Sequence, residues 1–409
     1  MVEVDFVGTV AETDREFVDG RTTEKPMIPT EDCLILQWHS SSNSDVISLD
    51  ALTAINRITT SYLFPLLFLF GAVGNILSMA VFCKLGLRER INLCLFALAA
   101  VDFIVVSYAF ALHSESFYMR FTARNRRRTY GVVYTFLVKY CTGLIGFGRL
   151  SQFLSAVVAV ERCACVASPF RARKLVRTST MAAVIAVAAL VLVGGMFGVI
   201  GQKYTVVCIY DPLTNITRDA LYVTKVTRDE CSSYRFYLKH KDILDTVDVF
   251  VMSTAFPAIF LGLVIFTSVF TTTKLWSSLA WRATSVMSQN PAKVLAATAA
   301  AAVSPKEVAL TKMLISTSVL FIVCSAPNLA VQLASFFASD LKEGGRYDNL
   351  VQVLHLVRLL STDIQCSLSF VVYYKTGSRY RSTVRQLLKC HADSQEFKYN
   401  NSSGKMTSG

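Results

Sequence analysis

Seven stretches of this chain are each apolar over about 20 residues or more, and polar segments separate them. They fall at about 59–83, 92–112, 132–163, 181–201, 246–271, 308–338 and 350–374. An α-helix rises about 1.5 Å per residue, so each stretch is long enough to cross roughly 30 Å of hydrocarbon. Lipid offers no hydrogen-bond partners, and a helix satisfies its own backbone. The alternation of polar and apolar residues that marks a membrane β-barrel is absent. The expected fold class is therefore an all-α membrane protein. It is a seven-transmembrane helix bundle, with a short basic amphipathic eighth helix following at about Ser378 to Leu388.

Composition agrees. Of 409 residues, 53% are hydrophobic and only 17% are charged, against about 25% charged in an ordinary soluble protein. The net charge of +12 reads as cytoplasmic loops facing anionic lipid rather than as a nucleic-acid surface. The eleven cysteines show no Cys-x-x-Cys pair, which argues against zinc. Most of them fall inside the spans, where a thiol acts as a small apolar residue. The first residues are acidic and carry no apolar signal core, so the first span is expected to act as its own insertion signal.

Four regions follow: 1–57, an extracellular disordered tail; 58–376, the seven-helix domain; 377–390, the amphipathic helix; and 391–409, a cytoplasmic tail. Lysines and arginines set the orientation. Arg88, Arg90, Arg171, Lys174, Lys274, Lys375 and Arg379 share one side if the acidic N-terminus is outside. The first outer loop, with Arg120 and Arg124 to Arg128, is the exception. This places the chain in the plasma membrane as a multi-pass protein with its N-terminus extracellular. Asn215-Ile216-Thr217 is then an outer glycosylation site, and Cys390 is a candidate for palmitoylation, with a free thiol as the alternative.

The stretch Gly146 to Phe170 ends in Glu161-Arg162, with Pro169 shortly after. Gly74-Asn75 lies in the first span, and Leu98, Ala99 and Asp102 in the second. Pro257 follows in the fifth, Phe321, Cys324 and Pro327 in the sixth, Tyr373 in the seventh, and Tyr380-Arg381 just beyond. In this order the residues resemble the signatures of rhodopsin-like G-protein-coupled receptors, over about 60–390. Within that family the chain looks most similar to a divergent invertebrate branch of molluscan chemosensory and peptide receptors. It departs from the family where Cys163 replaces a tyrosine, Ser325 a tryptophan, and Ser369-Phe370 an Asn-Pro pair. The fourth span lacks its tryptophan.

The resemblance implies a non-enzymatic receptor that converts binding of an extracellular peptide or chemosensory small molecule into activation of a heterotrimeric G protein. It also implies an outer disulfide from Cys141 to Cys208 or Cys231, with Cys33 a further partner. Cys141 lies about one turn closer to Arg162 than the family's cysteine does. Two ligand classes are disfavoured. Asp363 stands where opsins carry the retinal lysine, and Leu144 where amine receptors carry an aspartate.

The polar residues inside the spans form three groups. Asp102 is ionisable in mid-membrane, so it should face the bundle interior. Asn75, Ser151, Gln365 and Ser369 are the candidates to meet it. In the family such residues surround an allosteric sodium ion; the alternative is a protonated Asp102 in a hydrogen-bond network, and no other cofactor is expected. Arg162 is the candidate switch, paired with Glu161 and, across to the sixth helix, with Glu307. Alternatively Glu307 simply caps its own helix. Tyr373 completes this group. In the outer half Lys139, Arg149, Asn328, Gln332, Arg358 and Asp363 form a candidate ligand pocket whose basic bias favours anionic ligands. The alternative there is an Arg149–Asp363 ion pair that only ties helices together. The same charges motivate a rival reading as a transporter or channel, against which no inverted repeat is visible.

Overall fold

Prolines disturb three of the helices, and the backbone accommodates them in two ways. Pro65 and Pro257 each follow directly on a π-helical segment, Thr59–Leu63 and Thr246–Ala255 respectively. A wider turn there absorbs the hydrogen bond that the proline nitrogen cannot donate. Pro327 instead sits inside one continuous helix, Pro305–Phe337.

These features come from a computed structural model. It describes residues 34–35, 45–113, 142–167, 177–198, 204–211, 216–223, 239–286, 305–341 and 346–388. Among the described residues, seven helices are long and apolar enough to cross a membrane. They are α1 (Leu49–Leu85), α2 (Arg90–His113), α3 (Thr142–Ala167), α4 (Thr178–Phe197), α5 (Lys241–Ser277), α6 (Pro305–Phe337) and α7 (Asp348–Thr376). A short helix α8 spans 378–388.

Two segments assigned from sequence to the polar tail carry regular structure. α1 begins at Leu49, where the Ser48 hydroxyl accepts from the backbone N–H of Ala51 at 3.2 Å, an ordinary N-cap. Just before it, Asp45 accepts from the backbone N–H of Asn349 at 2.8 Å, and the Asn349 amide donates to the Ile47 carbonyl at 2.8 Å. The chain entering α1 is thereby fastened to the start of α7. Farther upstream, β1 (Leu34–Ile35) pairs in parallel with β2 (Tyr204–Asp211), which pairs antiparallel with β3 (Ile216–Val223). The stretch 202–245 read from sequence as a loop thus contains a hairpin. Thr205, Val206, Val207, Ile209 and Tyr210 supply the β-branched and aromatic side chains that favour strand.

α1 ends at Gly86, whose φ of +97° favours glycine at the turn. The core runs the length of the bundle. At the end bearing Arg162, Phe82, Leu95, Leu314, Tyr373 and Val384 pack together from α1, α2, α6, α7 and α8. In the middle, Val105, Leu154, Met196, Met252 and Cys366 join α2, α3, α4, α5 and α7. Large apolar side chains such as Leu190, Phe266, Trp276 and Val323 are exposed, as lipid-facing positions are in a membrane bundle.

Candidate functional site

The deepest polar group centres on Asp102, which is 2% exposed. The Ser151 hydroxyl of α3 donates to its Oδ1 at 2.5 Å. Asn75, expected at the same place, donates instead to the Cys366 backbone carbonyl at 3.1 Å. Ser369 donates to the Gln365 carbonyl at 2.9 Å, and the Gln365 side chain accepts from Ser325 of α6 at 3.3 Å. Of the five residues expected here, Asp102 and Ser151 touch directly. Asn75 and Ser369 bond to the α7 backbone, while Gln365 joins α7 to α6. The set offers a buried carboxylate and a hydroxyl as adjacent oxygen donors, the donor type that hard cations prefer.

At the Arg162 end of α3, Glu161 is the hub. The Arg162 Nε donates to Glu161 Oε2 at 2.5 Å, and its terminal nitrogen pairs with the same oxygen. Arg90, from the start of α2, reaches Glu161 Oε1 at 3.6 Å. The Cys165 thiol donates to that oxygen at 3.4 Å. Glu161 thus holds cations from two helices. Glu307 lies in the first turn of α6, but its side chain falls outside the described residues.

Tyr373, 2% exposed, stacks edge-on with Phe82 at 5.7 Å and tilts against Tyr380 at 5.6 Å. The Tyr380 hydroxyl of α8 lies 2.9 Å from the Ser78 hydroxyl of α1. Burial pushes the Tyr380 phenol up, and the Ser78 hydrogen bond opposes this. The phenol is therefore neutral at physiological pH.

Toward the other end, Arg149 is 7% exposed and donates from Nη1 to the side-chain Oε1 of Gln152 at 2.9 Å. The Arg358 Nε of α7 donates to Asn328 Oδ1 of α6 at 3.0 Å, and its Nη1 lies 3.4 Å from His355 Nδ1. The charges that reach Arg149 are those of Arg358 and of Asp248 on α5. Arg149 and Asp363 form no ion pair among the described residues, although Asp363 is buried at 4% exposure. The tie between helices expected as the alternative is therefore absent. Gln332 is half-buried on α6, one turn beyond Asn328. Lys139, Cys141, Asn215, Cys231 and Cys390 lie outside the described residues. Cys208 sits on β2 opposite Asp219.

Several participants escaped the sequence reading. Cys366 packs in the apolar core, as a thiol inside a span is expected to, and its backbone carbonyl accepts from Asn75. Arg90 was counted only as a loop charge that sets orientation. Ser325 was noted as a missing tryptophan and proves to be a hydrogen-bond donor to α7. Asp248 and Gln152 each carried a signal, a polar residue inside an apolar span, that would have marked them.

Comparison with known proteins fits this arrangement. The family described as serpentine type 7TM GPCR chemoreceptor Srw matches residues 62–391. Among solved structures, that of squid rhodopsin matches with a TM-score of 0.50 at 17% sequence identity, covering 85% of this chain and 91% of that one. At that identity the likeness shows the fold, a rhodopsin-like helix bundle. No curated protein matches significantly.

Proposed function

Because the chain belongs to the serpentine type 7TM GPCR chemoreceptor Srw family of non-enzymatic multi-pass receptors, we propose that it converts an extracellular chemical signal into activation of a heterotrimeric G protein at the plasma membrane. The ligand is a peptide or a small chemosensory molecule. It binds from the side where the N-terminus lies, among residues of α3, α6 and α7. Its binding favours a bundle in which the Arg162 end of α6 swings outward and opens a cleft for the G protein. Lys139 extends the pocket, Cys141 with Cys208 or Cys231 closes the outer loop, and Asn215 carries glycan. Cys390 is the lipid attachment site on the opposite face.

The observation that carries this reading is the paired Glu161 and Arg162 at the end of α3. Glu161 holds Arg162 inside the bundle, so the arginine becomes available to a partner only when that pair loosens. Glu307 on α6 supplies the second restraint, and Tyr373 fills the space that the moving helices vacate. An ion pair at a wet boundary stabilises by roughly 1 kcal/mol. That suits a switch whose two states differ by only a few kcal/mol.

Asp102 and Ser151 fit a sodium ion as oxygen donors, and a bound cation would supply a positive charge that holds the resting bundle together. Asn75, Gln365 and Ser369 position α7 beside it. The reading is tested by nucleotide exchange on purified G proteins, set against substrate flux in liposomes. Flux without exchange would favour the transporter reading.

A further inference from the structure

Among the described residues no other lysine or arginine is buried as deeply as Arg149, at 7% exposure. It lies about 20 Å along α3 from Arg162 by the helical rise, within the hydrocarbon span. A guanidinium has five N–H donors and no acceptor. Here one terminal nitrogen is used, by Gln152 at 2.9 Å. Nε is buried and has no hydrogen-bond partner. A buried cation with unmet donors is costly unless something completes it.

The surroundings show what would do so. The Arg358 guanidinium of α7 and the Asp248 carboxylate of α5 lie within electrostatic reach of Arg149. Asn328 Oδ1 fixes the Nε of Arg358 at 3.0 Å, which sets the plane of that second fork. His355 Nδ1 faces its Nη1 at 3.4 Å. Three helices thus contribute charged groups to this region: Arg149 from α3, Arg358 from α7 and Asp248 from α5. The surroundings are otherwise apolar: Met252, one turn from Asp248, belongs to the same buried cluster as Leu150, Leu192 and Met196. A planar anion with a short apolar tail matches both the forks and the apolar surroundings.

We propose that Arg149, together with Arg358 held by Asn328, forms an anion subsite for the carboxylate of a small organic acid. The proposal rests on the ligand-activated reading given above, and it names the chemical class of the ligand. Arg149 contacts the carboxylate directly, whereas Asn328 acts through Arg358 as a positioning residue.

The test uses the full chain in lipid nanodiscs, with butyrate as the probe and butyramide as its neutral isostere. A ligand that binds only the folded state raises the melting temperature with a saturating dose dependence. Butyrate is expected to do so by several degrees, butyramide is not, and Arg149→Gln is expected to abolish the effect at unchanged helical content. Equal effects of the two probes on the wild type would overturn the proposal, as would a full butyrate effect in Arg149→Gln. If that variant does not fold, Arg149→Lys replaces it. Lysine keeps the charge and loses the fork, so butyrate should bind about tenfold more weakly; unchanged binding would overturn the proposal. Nucleotide exchange on a G protein is measured with the same preparation. Exchange without a butyrate effect rejects the subsite alone, and a butyrate effect without exchange rejects the receptor reading alone.

Discussion

The ring of Phe370 lies against the backbone of α1 at Gly74: a Cβ added to that glycine would sit 1.9 Å from Phe370 Cδ1. The two residues explain each other. Phe370 stands where related receptors carry a helix-breaking proline, and α7 runs unbroken through it from Asp348 to Thr376. The bulk that replaces the proline is received at Gly74, which has no side chain to oppose it. Below it, Ser367 donates to the Leu67 carbonyl at 2.9 Å, so α1 and α7 are joined over two turns.

Gly74→Ala should therefore destabilise the receptor by about 1–3 kcal/mol through overpacking. Phe370→Ala should make the alanine at 74 tolerable again. A double-mutant cycle on thermal melting in nanodiscs measures this. Additive effects of the two changes would show that the ring does not rest on Gly74.

Arg90 is expected to restrain signalling without touching the G protein's docking arginine. It holds Glu161 at 3.6 Å from α2, and Glu161 in turn holds Arg162. Removing a half-buried pair of this kind costs up to about 1 kcal/mol, a factor of roughly five in a two-state equilibrium. Arg90→Gln should shift basal nucleotide exchange by a few fold at equal surface expression, and Glu307→Gln should raise it. Basal exchange identical to wild type in Arg90→Gln would leave that arginine with a folding role only.

The hydroxyl pair of Ser78 and Tyr380 ties α8 to α1. Ser78→Ala and Tyr380→Phe should each lower stability by about 1 kcal/mol, the net value of one hydrogen bond. The double variant should lose little more than either single one. Because burial raises the phenol's pKa, the proton stays on Tyr380 from neutral pH to above its ordinary range, and this contribution should not change between pH 6 and about 9. A melting temperature that responds to Tyr380→Phe at pH 6 but not at pH 9 would contradict the assignment.

For Asp102, the prediction concerns sodium. Replacing choline by sodium at constant ionic strength should raise the melting temperature of the wild type and leave Asp102→Asn unaffected. Ser151→Ala should weaken the sodium effect and cost about 1–3 kcal/mol, since a buried acceptor loses its donor. An equal sodium response in Asp102→Asn would mean that the carboxylate serves only the hydrogen bond from Ser151.

The spans were legible because lipid imposes one simple requirement, about 20 apolar residues in a self-satisfied helix. The family signatures then fixed the order of α1 to α8. What could not be read was the direction of each polar side chain. The Asn75 amide, expected at Asp102, turns instead to the Cys366 carbonyl, a choice made by α7 packing rather than by composition. The helical start at Leu49 and the strand at Leu34–Ile35 were hidden in a polar stretch. Their order depends on distant partners, Asn349 for the entry to α1 and Ile209 with Tyr210 for the strand. Arg149 and Arg358 were singled out from their places in apolar runs, but Asp248 emerged only once three helices were brought together.

The most direct test of the account is guanine-nucleotide exchange on a panel of heterotrimeric G proteins, catalysed by the purified full chain in nanodiscs. The account predicts faster exchange than empty nanodiscs give with at least one G protein, and loss of that acceleration in Arg162→Ala at unchanged melting temperature. Exchange that is equally fast in Arg162→Ala, or no acceleration with any G protein by a well-folded chain, would contradict it.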